Sequence, residues 1–161
     1  METIFQELSA GWPDGTQLAR MLIRLTAAAL LGAVIGFQRE SVGKAAGLRT
    51  HMLVAGGAAL FVVACLEFGM SSSDLSRVIQ GLATGIGFIG AGAILKLTKE
   101  REITGLTTAA SIWMTCAVGV AAGLGRWGSA AISVVLTWII LAVLGRMEFW
   151  MRQRQRGNPS D

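Results

Sequence analysis

The chain has 161 residues, of which 53% are hydrophobic and 15% charged, with a mean hydropathy of +0.58. A soluble domain carries about 25% charge, so lipid and not water solvates much of this surface; 21 glycines against 2 prolines exclude a Pro/Gly-rich disordered chain. The net charge of +4 points to membrane topology and not to nucleic acid, because the cations sit between apolar segments.

The N-terminus carries Glu2 and Glu7 in place of a basic start, and no signal peptide is expected. A short amphipathic piece leads into a turn at Trp12-Pro13-Asp14-Gly15, and residues 1–20 read as an extracytoplasmic segment. Crossing a hydrocarbon core of about 30 Å takes roughly 20 helical residues. Five segments qualify: Met21–Phe37, Met52–Phe68, Val78–Leu97, Leu106–Leu124 and Ser129–Met147. The expected fold is an all-α integral membrane protein of about five transmembrane helices spanning 21–147. A basic tail, 148–161, then places Phe149, Trp150, Arg152, Arg154 and Arg156 at the headgroup layer.

Topology follows from the cations. Arg39, Lys44 and Arg49 follow the first segment, Lys96, Lys99 and Arg101 follow the third, and Arg146, Arg152, Arg154 and Arg156 follow the fifth. The opposite side holds Arg20, Arg77 and Arg126, while Arg24 lies one turn into the first segment and is expected to snorkel outward. The N-terminus is therefore expected outside and the C-terminus in the cytoplasm of a bacterial inner (plasma) membrane. A parallel two-helix repeat is visible at an offset of 58 positions, where Gly32-Ala33 matches Gly90-Ala91 and Gly47-Leu48-Arg49-Thr50 matches Gly105-Leu106-Thr107-Thr108.

Three sets of residues are candidates for function. Gly32/Gly36, Gly81/Gly85 and Gly119/Gly123 are each four apart, so each pair lies on one helix face where backbones can approach. Packing within the chain and a homo-oligomer interface both fit. Thr104, Thr108, Ser111 and Thr115 form a hydroxyl stripe on the fourth segment; such hydroxyls either bond back to their own helix or face a polar cavity or neighbouring helix. The densest polar group is Gln38, Arg39, Glu40, Lys44, Gly47, Leu48, Arg49, Thr50 and His51. Arg49 and His51 are expected at membrane depth, where an unpaired charge is costly, and Glu40 is the expected partner of Arg49.

Enzymatic and metal sites find no support. The single His51, Cys65 and Cys116 in apolar stretches, and scattered carboxylates supply no metal cluster and no disulfide framework. Gly85-x-Gly87-x-x-Gly90 spells a dinucleotide fingerprint, but it lies inside an apolar helix and not at a strand-to-helix turn. No catalytic residue, cofactor or nucleic-acid partner is expected.

The motifs Ala46-Gly47-Leu48-Arg49-Thr50-His51-Met52-Leu53-Val54, Gly85-Ile86-Gly87-Phe88-Ile89-Gly90-Ala91-Gly92 and Thr104-Gly105-Leu106-Thr107-Thr108-Ala109-Ala110-Ser111-Ile112-Trp113 resemble the membrane domain of the MgtC/SapB family, over roughly Leu22 to Val143. The resemblance implies a bacterial inner-membrane protein linked to growth at low Mg²⁺ and intracellular survival, with the proton-translocating ATP synthase as a membrane partner. Two departures stand out. Gln38 occupies a position that is acidic in many relatives, which read Gly-x-Glu-Arg, and the chain ends soon after the fifth segment, like the short SapB/YhiD form. Two functions fit the residues: a regulatory or stress-adaptation factor acting by contact with itself or another membrane complex, and a small channel or transporter for Mg²⁺ or another ion. The scarcity of carboxylates inside the helices favours the first.

Overall fold

The computed structural model describes residues 1–97 and 102–147. The expected roles of Lys99, Arg101 and the tail 148–161 lie outside the described residues. A short α1 (Glu2–Ala10) precedes the long α2 (Gly15–Ser41), α3 (Leu48–Glu67) and α4 (Ser72–Gly92). A hairpin of two antiparallel three-residue strands, β1 (Leu95–Leu97) and β2 (Glu102–Thr104), pairs Lys96 with Ile103 and leads into α5 (Leu106–Gly123). The last described element is α6 (Trp127–Ile139), which runs through a π-helical turn at Ile140–Leu144 and stays helical to Met147.

The helices start and stop where local chemistry requires. The Asp14 side chain accepts a hydrogen bond from the Gln17 amide while the Gln17 side-chain oxygen accepts one from the Asp14 amide, a capping box that starts α2 six residues before the expected Met21. At its far end the amides of Gly43 and Lys44 donate to the carbonyls of Glu40 and Arg39, and Gly43 turns the chain at φ +68°. The third segment ends early, at Gly92 and not at Leu97, because the Gly90-Ala91-Gly92 run is a poor helix former and the chain then enters the hairpin.

Long helices occupy all five predicted segments, and the fold is an all-α membrane protein with one small hairpin. Four of them, α2, α3, α5 and the α6 continuation, are both long and apolar enough to cross a membrane. The exception is α4: its first half carries Ser72, Ser73, Asp74, Ser76, Arg77 and Gln80, so its apolar stretch is short.

The core is built on α5, which contributes to every buried cluster. Val118 meets Ile35 of α2 with Ala130, Val134 and Leu141 of the last helix; Ala122 meets Ala28, Ala55 and Ala59; Ile112 and Cys116 meet Ala58 and Ile86. Small residues dominate where α2, α3 and α5 meet. Lipid tails are as apolar as leucine, so close van der Waals contact, and not expulsion of water, holds such helices together. The large apolar residues point outward instead, among them Phe37, Leu53, Phe61, Phe88 and Trp113, as a lipid-solvated surface requires.

The predicted repeat survives in three dimensions. Gly47 and Gly105 both cap a helix whose first residue is leucine, Leu48 or Leu106. A side chain at Gly32 would meet His51 and Ala55, and one at Gly90 would meet Ala109, which is the position matching His51. The α2–α3 approach is the tighter: a side chain at Gly32 would come within 2.9 Å of Ala55, one at Gly90 no nearer than 3.6 Å to Ala109.

Candidate functional site

The inward face of α2 runs Arg24, Ala28, Gly32, Ile35 and Arg39, a spacing of three or four that holds all five on one side. Its two arginines grip α5 at opposite ends. Arg24 Nη1 donates to the Gly123 carbonyl at 2.9 Å, and Arg39 Nη2 donates to Thr108 Oγ1 at 3.0 Å. Arg24 thereby satisfies a carbonyl that the end of α5 leaves without an intrahelical partner. Because the lower-numbered arginine meets the higher-numbered end of α5, the two helices run antiparallel. Fifteen residues separate the members of each pair, about 22 Å at 1.5 Å per residue. That is shorter than a hydrocarbon core of about 30 Å.

At the Arg39 end, polar side chains converge from three helices. Arg39 is only 3% exposed and His51 is fully buried. The Gly47 carbonyl receives both the His51 amide and the ring Nδ1, the latter at 2.8 Å, so Nδ1 carries a proton. The other ring nitrogen, Nε2, lies 3.2 Å from Ser111 Oγ, which also lies 2.8 Å from the Thr108 carbonyl. Ser111 Oγ donates to the Thr108 carbonyl, and the direction of its longer contact with His51 Nε2 follows the protonation of the ring. Thr115 Oγ1 bonds back to the Ser111 carbonyl at 2.8 Å.

Both readings of the hydroxyl stripe are thus realised. Thr115 serves its own helix, whereas Thr108 and Ser111 reach Arg39 and His51 on neighbouring helices. The stripe is one residue shorter than its spacing suggested, because Thr104 belongs to β2. Gly105 holds the turn before α5 at φ +92°, with the Ala93 carbonyl in the place a side chain would take. Thr107 points outward.

The expected Glu40–Arg49 pair does not form. Glu40 Oε2 instead accepts the Leu48 amide at 2.7 Å, capping α3 from eight residues away where Gly47 has no side chain to do so. Arg49 is exposed, on the outward face that also carries Leu53 and Leu60, and it needs no buried partner. Thr50 and Leu48 are half-buried beside it. The buried arginine of this loop is Arg39, and the signal was available: it falls seven residues after Gly32 and three after Gly36, on the packed glycine face. Gln38 is buried as well, and its Oε1 together with Arg39 Nε has no hydrogen-bond partner among the described residues.

The glycine pairs divide. A methyl added at Gly32 or Gly36 would strike α3 at His51, Ala55 or Leu48, and one at Gly119 or Gly123 would strike α3 at Ala55 or Ala59. At Gly81 and Gly85 it would meet nothing within 4 Å. Among the described residues no group of three His, Cys, Asp or Glu side chains converges to hold a metal ion.

Comparison with known proteins places this arrangement. A model of the MgtC family matches residues 25–150, which span the whole Arg39–His51–Ser111 centre. The chain belongs to the MgtC family. It is 42% identical to SrpB of Synechococcus elongatus over 154 residues, covering 88% of this chain and 84% of that protein. It is 40% identical to YhiD of Escherichia coli K12, whose name makes it a candidate magnesium transporter, over 81% of this chain and 63% of that one. To MgtC of Brucella abortus it is 44% identical over 79% of this chain but only 52% of its relative, so it spans about half of that protein's length. No solved structure matches it. In this member of the MgtC family, the first and third sequence motifs supply the two sides of the polar centre: Gly47 and His51 from one, Thr108 and Ser111 from the other.

Proposed function

We propose that this MgtC-family protein is a multi-pass protein of the bacterial inner membrane that regulates adaptation to stress, such as low Mg²⁺, acid or an intracellular habitat, by contact with itself or another membrane complex. The observation that carries the reading is the unused glycine face of α4. Two of three glycine pairs are consumed inside the chain, while Gly81 and Gly85 lie open on a helix of which only Ile86 and Gly90 are buried. Such a face lets a second helix approach closely. The polar centre supports the same reading: its one buried formal charge is the cation Arg39, and its hydroxyls are closed against α2 and α3. A buried cation repels Mg²⁺ and H⁺ where a conducting path would place a carboxylate.

The partner surface accepts a second copy of the chain, and the family resemblance makes the ATP synthase the complex to test against it. The placement with N-terminus outside and C-terminus inside requires α4 to cross the membrane despite its polar first half; reporter fusions on either side of α4 measure that directly. Transport is the second reading, favoured by the name carried by the Escherichia coli relative. The deciding experiment introduces Gly85→Cys with Cys65 and Cys116 replaced by Ala, oxidises native membranes, and measures Mg²⁺ and H⁺ flux in proteoliposomes. A discrete cross-linked species without flux supports contact. Reproducible flux abolished by Ser111→Ala or Arg49→Ala refutes it.

A further inference from the structure

A cavity of about 740 Å³ opens where α2 ends against the π-helical turn of the last helix. Its polar lining holds Gln38, Arg39, Lys44 and Arg146 with the hydroxyls of Ser41 and Thr107, and among the described residues no carboxylate lines it. The rest of the lining is apolar, built by Phe37, Val42, Trp138 and the π turn. A π turn widens a helix locally and is frequent at functional sites; here it supplies Ile140, Leu141, Ala142 and Leu144 to the wall.

Among the described residues, three cations and no anion form an unbalanced charge set. Arg39 is the most exacting of the three, being 3% exposed with a hydroxyl, Thr108, as its hydrogen-bond partner and its Nε unsatisfied among the described residues. Gln38, 8% exposed, adds a buried amide oxygen with no partner among the described residues, an acceptor that a headgroup hydroxyl and not a phosphate oxygen would satisfy. A buried guanidinium calls for an anion. The anion here has to carry an apolar body, because half of the wall is hydrocarbon and aromatic, and a free ion would leave that half empty.

We propose that the cavity seats one anionic phospholipid, its phosphodiester against Arg39, Lys44 and Arg146 and its acyl chains along Trp138 and the π turn. The headgroup completes the charge balance of the polar centre, and so fixes the end of α2 against the start of α5. This site is independent of whether the protein regulates or transports.

The test uses the full chain purified in detergent, native mass spectrometry, and equimolar phosphatidylglycerol and phosphatidylethanolamine. Lys44 and Arg146 are exposed and stand outside the buried hydrogen-bond network, so K44Q/R146Q removes charge without emptying the core. At about 1 kcal/mol per basic residue near anionic lipid, and tenfold per 1.4 kcal/mol, the double variant loses about thirtyfold in retention of phosphatidylglycerol. A142W keeps every cation but fills the apolar wall, and it also lowers retention, by about tenfold or more. The proposal fails if wild type retains both lipids equally, if K44Q/R146Q keeps the preference, or if A142W keeps it, which would assign the effect to surface charge alone. Displacement of the lipid by inorganic phosphate as readily as by a short-chain phosphatidylglycerol overturns the lipid assignment in favour of a free anion. Circular dichroism of both variants confirms native helicity before any loss is scored.

Discussion

Replacing Gly119 and Gly81 separately by alanine tests how the bundle is held. At Gly119 the added methyl would fall on the Ala55 carbonyl oxygen and within 2.8 and 2.9 Å of the Ala55 Cα and carbonyl carbon. Ordinary contact begins near 3.4 Å, so α3 and α5 have to part by more than half an ångström at their crossing. Every atom struck belongs to backbone, and no side chain can rotate away. Overpacking costs about 1–3 kcal/mol, with the rigid target placing Gly119→Ala toward the upper end; better helix propensity returns up to about 1 kcal/mol. The net loss is about 1–2 kcal/mol, a drop in Tm of roughly 3–6 °C for a chain this size. Gly81→Ala meets nothing within 4 Å, so it keeps the propensity gain and melts at the wild-type temperature or slightly above. Thermal unfolding followed by circular dichroism in detergent, with oligomer size measured by light scattering, reads both. If Gly81→Ala destabilises a monomeric sample as much as Gly119→Ala does, the assignment of the two faces is wrong.

Glu40→Ala removes the cap on α3 and costs about 1 kcal/mol, Glu40→Gln recovers most of it, and Arg49→Ala stays within about 0.5 kcal/mol; the swap Glu40→Arg with Arg49→Glu restores nothing, all by thermal melts. Ser111→Ala deprives the buried His51 Nε2 of its partner and costs about 1–3 kcal/mol, whereas Thr115→Ala, which loses a bond within one helix, costs less than half of that in the same assay. Gly105→Ala forces a side chain onto the Ala93 carbonyl at a left-handed backbone position, with a loss of about 2 kcal/mol or more; a melt unchanged from wild type would contradict the geometry of that turn.

Much of the architecture was legible because the bilayer imposes length and apolarity on each span. The helices α2, α3, α5 and α6 fall where hydropathy places them, with ends shifted by caps such as Asp14. The β hairpin after Gly92 was not legible, since Leu95–Leu97 continues an apolar run and only its pairing with Glu102–Thr104 makes it a strand. The candidate site was legible in its membership and not in its partners. Gln38, Arg39, Gly47, His51, Thr108 and Ser111 all belong to it, yet charge arithmetic paired Glu40 with Arg49, while the fold gives Glu40 to a backbone amide and Arg39 to Thr108. Helix phase would have separated the two arginines: Arg39 shares a face with Gly32 and Gly36, and Arg49 shares one with the exposed Leu53.

The repeat explains why the polar centre has its particular composition. Each hairpin supplies the same scaffold, a helix bearing a small-residue face and a second helix capped by Gly-Leu, and that much both copies retain. What differs is chemistry at matched positions. The first copy has Arg39 and His51 where the second has Leu97 and Ala109. The second copy has Ser111 where the first has Leu53, which points to lipid. Donors and ring nitrogens therefore come from one copy and the hydroxyls that meet them from the other, so the centre forms only when the two hairpins are docked through α3 and α5. A buried arginine is tolerated on such terms because docking and hydrogen bonding occur together. Any partner or lipid that shifts α2 against α5 must also act on the Arg39–Thr108 bond, which couples that end of the bundle to the packing of its core.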